Sequence, residues 1–209
     1  MKIIVFGANG RVGRLVVSKL LEKRHTVTAF VYGPHSLIKA PKLRIVEGSV
    51  ESKSVVSDAV AGSDVIISTL GSWGTKNKNI LSVGMSSILP AAKKHGVNRI
   101  ISLTGADATF SDEKVNILRK LTRLILKIIV PRILYDAENH MVLLRNSAIG
   151  WTVVRSPVMS DKGIQNNYTL SRKPPKPWRS VLRVDVADAI VDIVEANNWK
   201  YEAPFINKR

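Results

Sequence analysis

The chain has 209 residues, 45% of them hydrophobic, which is enough for one domain with a sizeable core and too apolar for global disorder. It has no cysteine, which excludes disulfides, thiolate metal sites and a cysteine nucleophile, and no metal site is expected. The formal net charge of +16 favours anionic partners, whether nucleotide phosphates, nucleic acid or an anionic membrane surface, without choosing among them.

The first residues, Met1 to Phe6, form too short an apolar run for a secretory signal. No stretch reaches the roughly 18 apolar residues of a membrane span. The longest candidate, Leu124 to Val130, is interrupted by Lys127. A cytoplasmic location is expected.

In chain order, apolar β-rich runs alternate with helical patterns. Strands are expected at Ile3–Phe6, Thr26–Val31, Leu43–Glu47, Asp64–Ser68, Arg99–Leu103 and Trp151–Arg155, with a short last strand near Pro204–Asn207. Helices are expected at Arg11–Lys23, Ser54–Ala61, Ser82–His95, Lys114–Val130, Asp136–Ser147 and Val186–Ala196. Val65-Ile66-Ile67 and Ile100-Ile101 are apolar on consecutive positions, as in a parallel strand covered by helices on both faces. The fold class is therefore α/β: a Rossmann, doubly wound, mostly parallel sheet of six to seven strands with helices on both faces. A single domain over residues 1–209 is expected, with about 156–209 completing the substrate side.

Gly7-Ala8-Asn9-Gly10-Arg11-Val12-Gly13 follows the first strand and opens the first helix. Gly7 permits a tight turn, Gly10 a close approach to a pyrophosphate, and Gly13 close packing of helix on strand. The helix N-terminus then offers free N–H groups and partial positive charge to phosphates. Strand, glycine turn and helix together point to a nicotinamide dinucleotide, held by Gly7, Asn9, Gly10, Arg11, Val12 and Gly13.

An acid at the end of the second strand would bond the ribose 2′-hydroxyl of NAD. The sequence there is Val31-Tyr32-Gly33-Pro34-His35, without an acid. Arg11, His35 and Lys39 are nearby bases, and Arg11 has the forked geometry for a 2′-phosphate. NADP is favoured over NAD, with Tyr32 a candidate to stack on adenine.

The segments Ile3–Gly10, Val27–Val31, Val46–Val50, Leu70–Ser72, Ser102–Gly105, Leu144–Ser147, Trp151–Pro157 and Arg183–Ala187 resemble the atypical short-chain dehydrogenase/reductases with an NmrA-like NAD(P)-binding domain. The group containing biliverdin reductase B and the bacterial NADH-flavin reductases is the most similar. The resemblance covers nearly the whole chain. It implies cofactor contacts from Ser49 and Val50 beside the adenine and from Leu70 and Gly71 along the ribose. It implies Thr104 and Pro157 near the nicotinamide. Three positions depart from the family pattern: Ser49 replaces an aspartate, Tyr32 an arginine and Val158 a histidine. Asp185 reads as a helix N-cap.

The Tyr-x-x-x-Lys pair of ordinary short-chain dehydrogenases, in which lysine lowers the tyrosine pKa, is missing: Tyr135 is followed four residues on by Asn139. Hydride transfer to a stacked acceptor needs mainly positioning, since the cofactor carries the hard chemistry. Thr104 and Tyr135 are the candidate proton donors, and His140 reads as a packed helical residue. The expected function is an NAD(P)H-dependent oxidoreductase acting on a flavin, quinone or small carbonyl. The alternative is a non-catalytic NAD(P)-binding regulator.

The helix around Lys114–Val130 carries an apolar stripe of Ile117, Leu118, Leu121, Leu124, Ile125, Ile128 and Ile129, with Lys114, Arg119, Lys120, Arg123 and Lys127 around the rest. Such a pattern suits an anionic membrane surface. The resemblance implies a mobile cover at this place, so the preferred reading is a helix that packs over the cofactor cleft and shows its charges to water. Nucleic acid is disfavoured, because the basic residues are not interleaved with aromatic ones.

Overall fold

The computed structural model describes every residue except Gly74 and Pro177. Lys2–Phe6 forms strand β1, and its apolar residues are buried on both faces. Helix α1 (Arg11–Glu22), β2 (Thr26–Val31), β3 (Leu43–Glu47), α2 (Lys53–Val60), β4 (Val65–Ser68), α3 (Ile80–Lys94) and β5 (Arg99–Gly105) follow. The second half holds α4 (Ile117–Ile129), α5 (Pro131–Arg145), β6 (Gly150–Ser156), β7 (Val158–Ser160), β8 (Tyr168–Ser171), β9 (Ser180–Leu182), α6 (Arg183–Ala196) and β10 (Phe205–Lys208).

Side chains alternate across each strand, so the sheet feeds two cores. Ile3 and Val5 pack with α1 and α6 on one face. Ile4 and Phe6 pack with α2, α3 and α5 on the other. The sheet order is β3-β2-β1-β4-β5-β6-β10-β8, parallel throughout except for β8, which runs antiparallel to β10. The doubly wound sheet expected from the sequence is present, with one strand more than the six to seven expected.

That extra strand is β8. It is four residues long and forms against the edge of β10, so its partner rather than its own pattern defines it. The same holds for β7 and β9, three residues each, which pair with one another outside the main sheet. Pro131 does not simply end the basic helix. It stands at the first position of α5, where a missing N–H and a fixed φ cost nothing, so α5 starts five residues before the expected Asp136. Asp185 is not an N-cap but lies in the first turn of α6, and its Oδ1 accepts the Asn166 N–H at 2.8 Å.

Strands β1, β2 and β3 step one way across the sheet and β4, β5 and β6 the other. The order therefore reverses between β1 and β4, the switch point outside whose carboxyl ends sheets of this kind hold ligands in a crevice.

Candidate functional site

Two turns meet at this switch point. After β1, the Gly10 N–H donates to the Gly7 carbonyl at 2.9 Å, closing the turn before α1. After β4, the Thr69 hydroxyl donates to the Phe6 carbonyl at 2.9 Å and lies 3.2 Å from that of Gly7. The contact leaves no room for side chains. A Cβ on Gly13 would lie 2.1 Å from the Gly7 oxygen and 2.8 Å from Thr69 Oγ1. Gly7 has φ +73°, and a Cβ there would lie 2.9 Å from the Thr69 carbonyl group. Thr69 was not singled out in the sequence; its role depends on the β1–β4 pairing, which no local spacing shows.

The cradle is thus backbone, at a helix N-terminus whose first N–H groups have no partner within the helix. Among the described residues of α1, the first turn carries no acid to repel a phosphate. This surface fits a pyrophosphate.

The other predicted residues surround it. Asn9 is a brace, its amide donating to the Tyr32 carbonyl at 2.9 Å, so it ties the glycine turn to the loop after β2. Val12 is buried and Arg11 exposed. Tyr32 is 75% exposed, with its ring open to a ligand. His35 is engaged by Glu47 at 3.5 Å. Arg14, which the sequence reading passed over, donates to Ser36 Oγ at 3.1 Å from the helix side of the same loop. It lies one turn beyond Arg11, a spacing that could have signalled it. Ser49 makes the turn after β3, its hydroxyl accepting the Glu51 N–H at 3.2 Å, and Val50 is buried.

Leu70 and Gly71 lead from β4 into a loop anchored by Asp136 of α5. This carboxylate is fully buried and accepts from Ser72 Oγ at 2.7 Å, the Leu81 N–H at 3.0 Å, and the Ser82 N–H at 2.9 Å. It caps α3 from outside, since Asn79 provides no side-chain cap. Sequence reading used Asp136 only as a helix start.

Thr104 is buried near the end of β5, in register with Arg155 of β6. Pro157 follows β6, and the Ala106 N–H joins the two strand ends by donating to the Ser156 carbonyl at 2.8 Å. Beyond them opens a cleft of about 470 Å³ walled by Ala106, Pro157, Val158, Thr122, Ile125 and Trp178 among others. Its size suits a small organic molecule. Tyr135 does not line it. That side chain is 68% exposed and lines a separate cleft with Asn77 and Arg132. His140 is fully buried, with Nδ1 2.8 Å from the Ala137 carbonyl and Nε2 3.0 Å from Ser102 Oγ. Burial pushes its pKa down to about 4, so the ring is neutral at pH 7.

The wall formed by α4 is held by ions. Arg119 Nη1 donates to Glu113 at 2.8 Å, and Arg155 Nη1 donates to the other Glu113 oxygen at 2.6 Å. Both guanidiniums lie on the Phe205 ring, at 4.8 and 3.7 Å. Burial would raise the Glu113 pKa, but the two guanidiniums outweigh it and hold the carboxyl below its usual range. Arg123 pairs with Glu138 at 2.6 Å, and Thr122 donates to Asp107 at 2.9 Å. The polar side of α4 is therefore the anchored side. Its apolar stripe faces outward: Ile117 is 82%, Ile128 75% and Ile129 70% exposed. This corrects the expected orientation. Helix α4 does border the cleft, but it turns Arg119 and Arg123 inward and shows its stripe.

A model of the family described as NAD(P)H-binding matches residues 7–197. The 2-alkyl-3-oxoalkanoate reductase of Stenotrophomonas maltophilia (strain K279a) is 27% identical over 108 residues, 48% of this chain and 32% of that protein. The 3-beta-hydroxysteroid dehydrogenase of Mycolicibacterium neoaurum is 29% identical over 112 residues, 48% of this chain and 31% of that protein. The chain thus spans about a third of the length of these relatives. A short-chain dehydrogenase/reductase from Veillonella parvula DSM 2008, solved in complex with NADP, superposes with a TM-score of 0.79 at 20% identity over 99% of this chain and 94% of that one. ChuY from Escherichia coli O157:H7, described as an anaerobillin reductase, superposes with a TM-score of 0.79 at 18% identity over 100% and 97%. At these identities the two structures show a shared fold.

Proposed function

The chain belongs to the NAD(P)H-binding family, and on that premise we propose that it is an NADPH-dependent reductase that passes hydride to a flavin, quinone or small carbonyl acceptor. The observation that carries this reading is the side-chain-free cradle at the β1–β4 switch point, where Gly13 lies too close to the Gly7 carbonyl for any Cβ.

The pyrophosphate would rest on the backbone of Gly10, Arg11 and Val12. Ser49 and Val50 would border the adenine, with Tyr32 available to stack on it. The loop after β2 carries no acid, Arg14 bonds to it through Ser36, and exposed Arg11 lies one turn before Arg14 on α1, which supports NADP over NAD. Leu70 and Gly71 would follow the ribose, and Thr104 and Pro157 would flank the nicotinamide. NADPH supplies the hydride when bound. The chain supplies orientation and a cleft between α4 and the ends of β5 and β6. Asp136 positions the loop after β4 through Ser72 and the start of α3. With Tyr135 in a different cleft, an acceptor's proton would come from water or the Thr104 hydroxyl. We treat residues 1–209 as one domain, because β10 joins the main sheet beside β6 and so ties residues after 156 to the acceptor side. The lack of cysteine supports a cytoplasmic location.

The test is to mix the protein with NADPH and a panel of free flavins, quinones and small carbonyls, and to follow the absorbance of reduced nicotinamide. The reading expects turnover with at least one class. Tight NADPH binding without turnover on any of them would replace it with a regulatory NAD(P) sensor.

A further inference from the structure

Amphipathic helices of globular proteins bury their apolar face. Helix α4 does the reverse. Among the described residues, Arg119 is its one buried side chain, while Ile117, Leu118, Leu121, Leu124, Ile125, Ile128 and Ile129 are exposed. Partly buried ion pairs hold this orientation, through Arg119 to Glu113 and Arg123 to Glu138. Seven neighbouring aliphatic side chains make a continuous strip of the kind that marks an interaction surface.

The edges of the strip carry charge of one sign. On a helical projection, exposed Lys120 and Lys127 follow one border. On the other border, Leu118 and Ile125 line a cleft whose walls also include exposed Lys176 and Arg179 and Trp178, whose side chain is 92% exposed. The sequence contains no Asp or Glu from 114 to 132, and none from 162 to 184. The chain as a whole carries +16.

We propose that α4 and the Trp178 loop seat the protein on an anionic lipid surface. The strip enters the boundary between headgroups and acyl chains, as in-plane amphipathic helices do. The indole lies at headgroup depth, the level where tryptophan concentrates. The lysines and Arg179 meet lipid phosphates, their alkyl stems running along the apolar border. A protein partner would need a matching acidic rim, and a second copy of this chain would set these basic rims against each other. Charge therefore favours the lipid. Seating does not depend on reductase activity.

Co-sedimentation of the full chain with vesicles tests this. Vesicles of phosphatidylcholine with a third phosphatidylglycerol should bind it roughly tenfold or more tightly than phosphatidylcholine alone, and binding should weaken with salt. The emission maximum should move to the blue on binding, and Trp178→Phe should lose most of that shift. Leu121→Glu with Ile128→Glu should release the protein from vesicles without moving its melting temperature, since both positions are exposed. Lys120→Glu with Lys127→Glu, which touches no apolar contact, should weaken binding as well. Equal, weak sedimentation with both lipids would overturn the proposal. So would vesicle binding that neither pair of substitutions reduces. A lipid-free dimer that the Leu121→Glu, Ile128→Glu variant converts to monomer would also overturn it, assigning the strip to self-association.

Discussion

At the scale of single residues, Gly13 has the least freedom. Even the methyl of alanine would collide with the Gly7 carbonyl, which is backbone and cannot swing aside. Gly13→Ala should therefore displace the turn from α1 and weaken NADPH binding at least about tenfold, an outcome that a fluorescence titration reads. Arg11 and Arg14 set the cofactor preference in this account. Replacing both with glutamate should weaken NADPH far more than NADH, as paired titrations would show. His140 gives a pH signature. Its folded pKa, pushed down to about 4 by burial, lies below the ordinary value of 6.5. The unfolded chain thus binds its proton first as pH falls, so stability present above pH 6.5 is lost progressively on the way down to pH 4. The difference amounts to up to about 3 kcal/mol. Thermal melts from pH 7 to pH 4 should fall more steeply for the native chain than for His140→Gln, whose amide can keep both hydrogen bonds.

At the scale of elements, Glu113 holds α4 to the body. Glu113→Gln would leave Arg119 and Arg155 buried over Phe205 without a counter-charge, and should cost about 3 kcal/mol in denaturant unfolding. The outward face of α4 is where sequence reading failed. Periodicity locates an apolar stripe but not the side of the helix on which the fold lies. That side is decided by Glu113 and Glu138, which come from outside the helix and pair with its arginines only in three dimensions. The strands show the same division. Val65–Ser68 and Arg99–Gly105 were legible because burial on both faces leaves consecutive apolar residues. Tyr168–Ser171 was not, because β10 defines it from across a sheet edge. Thr69 and Asp136 escaped for a similar reason: each acts on a loop remote in sequence.

At the scale of the whole molecule, the glycine turn was legible because a strand, three glycines and a helix lie consecutively. The cleft proposed for the acceptor was not, since it gathers the segments after β5 and β6, α4 and the Trp178 loop from distant parts of the chain. Tyr135, one of the candidate proton donors, lines the cleft with Asn77 and Arg132 and not the one walled by Ala106 and Pro157. The central claim is that the cradle between β1 and β4 holds NADPH. Titration of the native chain and Gly13→Ala with NADPH and with NADH, followed by nicotinamide fluorescence, tests it most directly. The account predicts saturable binding, tighter for NADPH than for NADH, and strongly weakened by the substitution. Absence of binding, or binding that Gly13→Ala leaves unchanged, would contradict it.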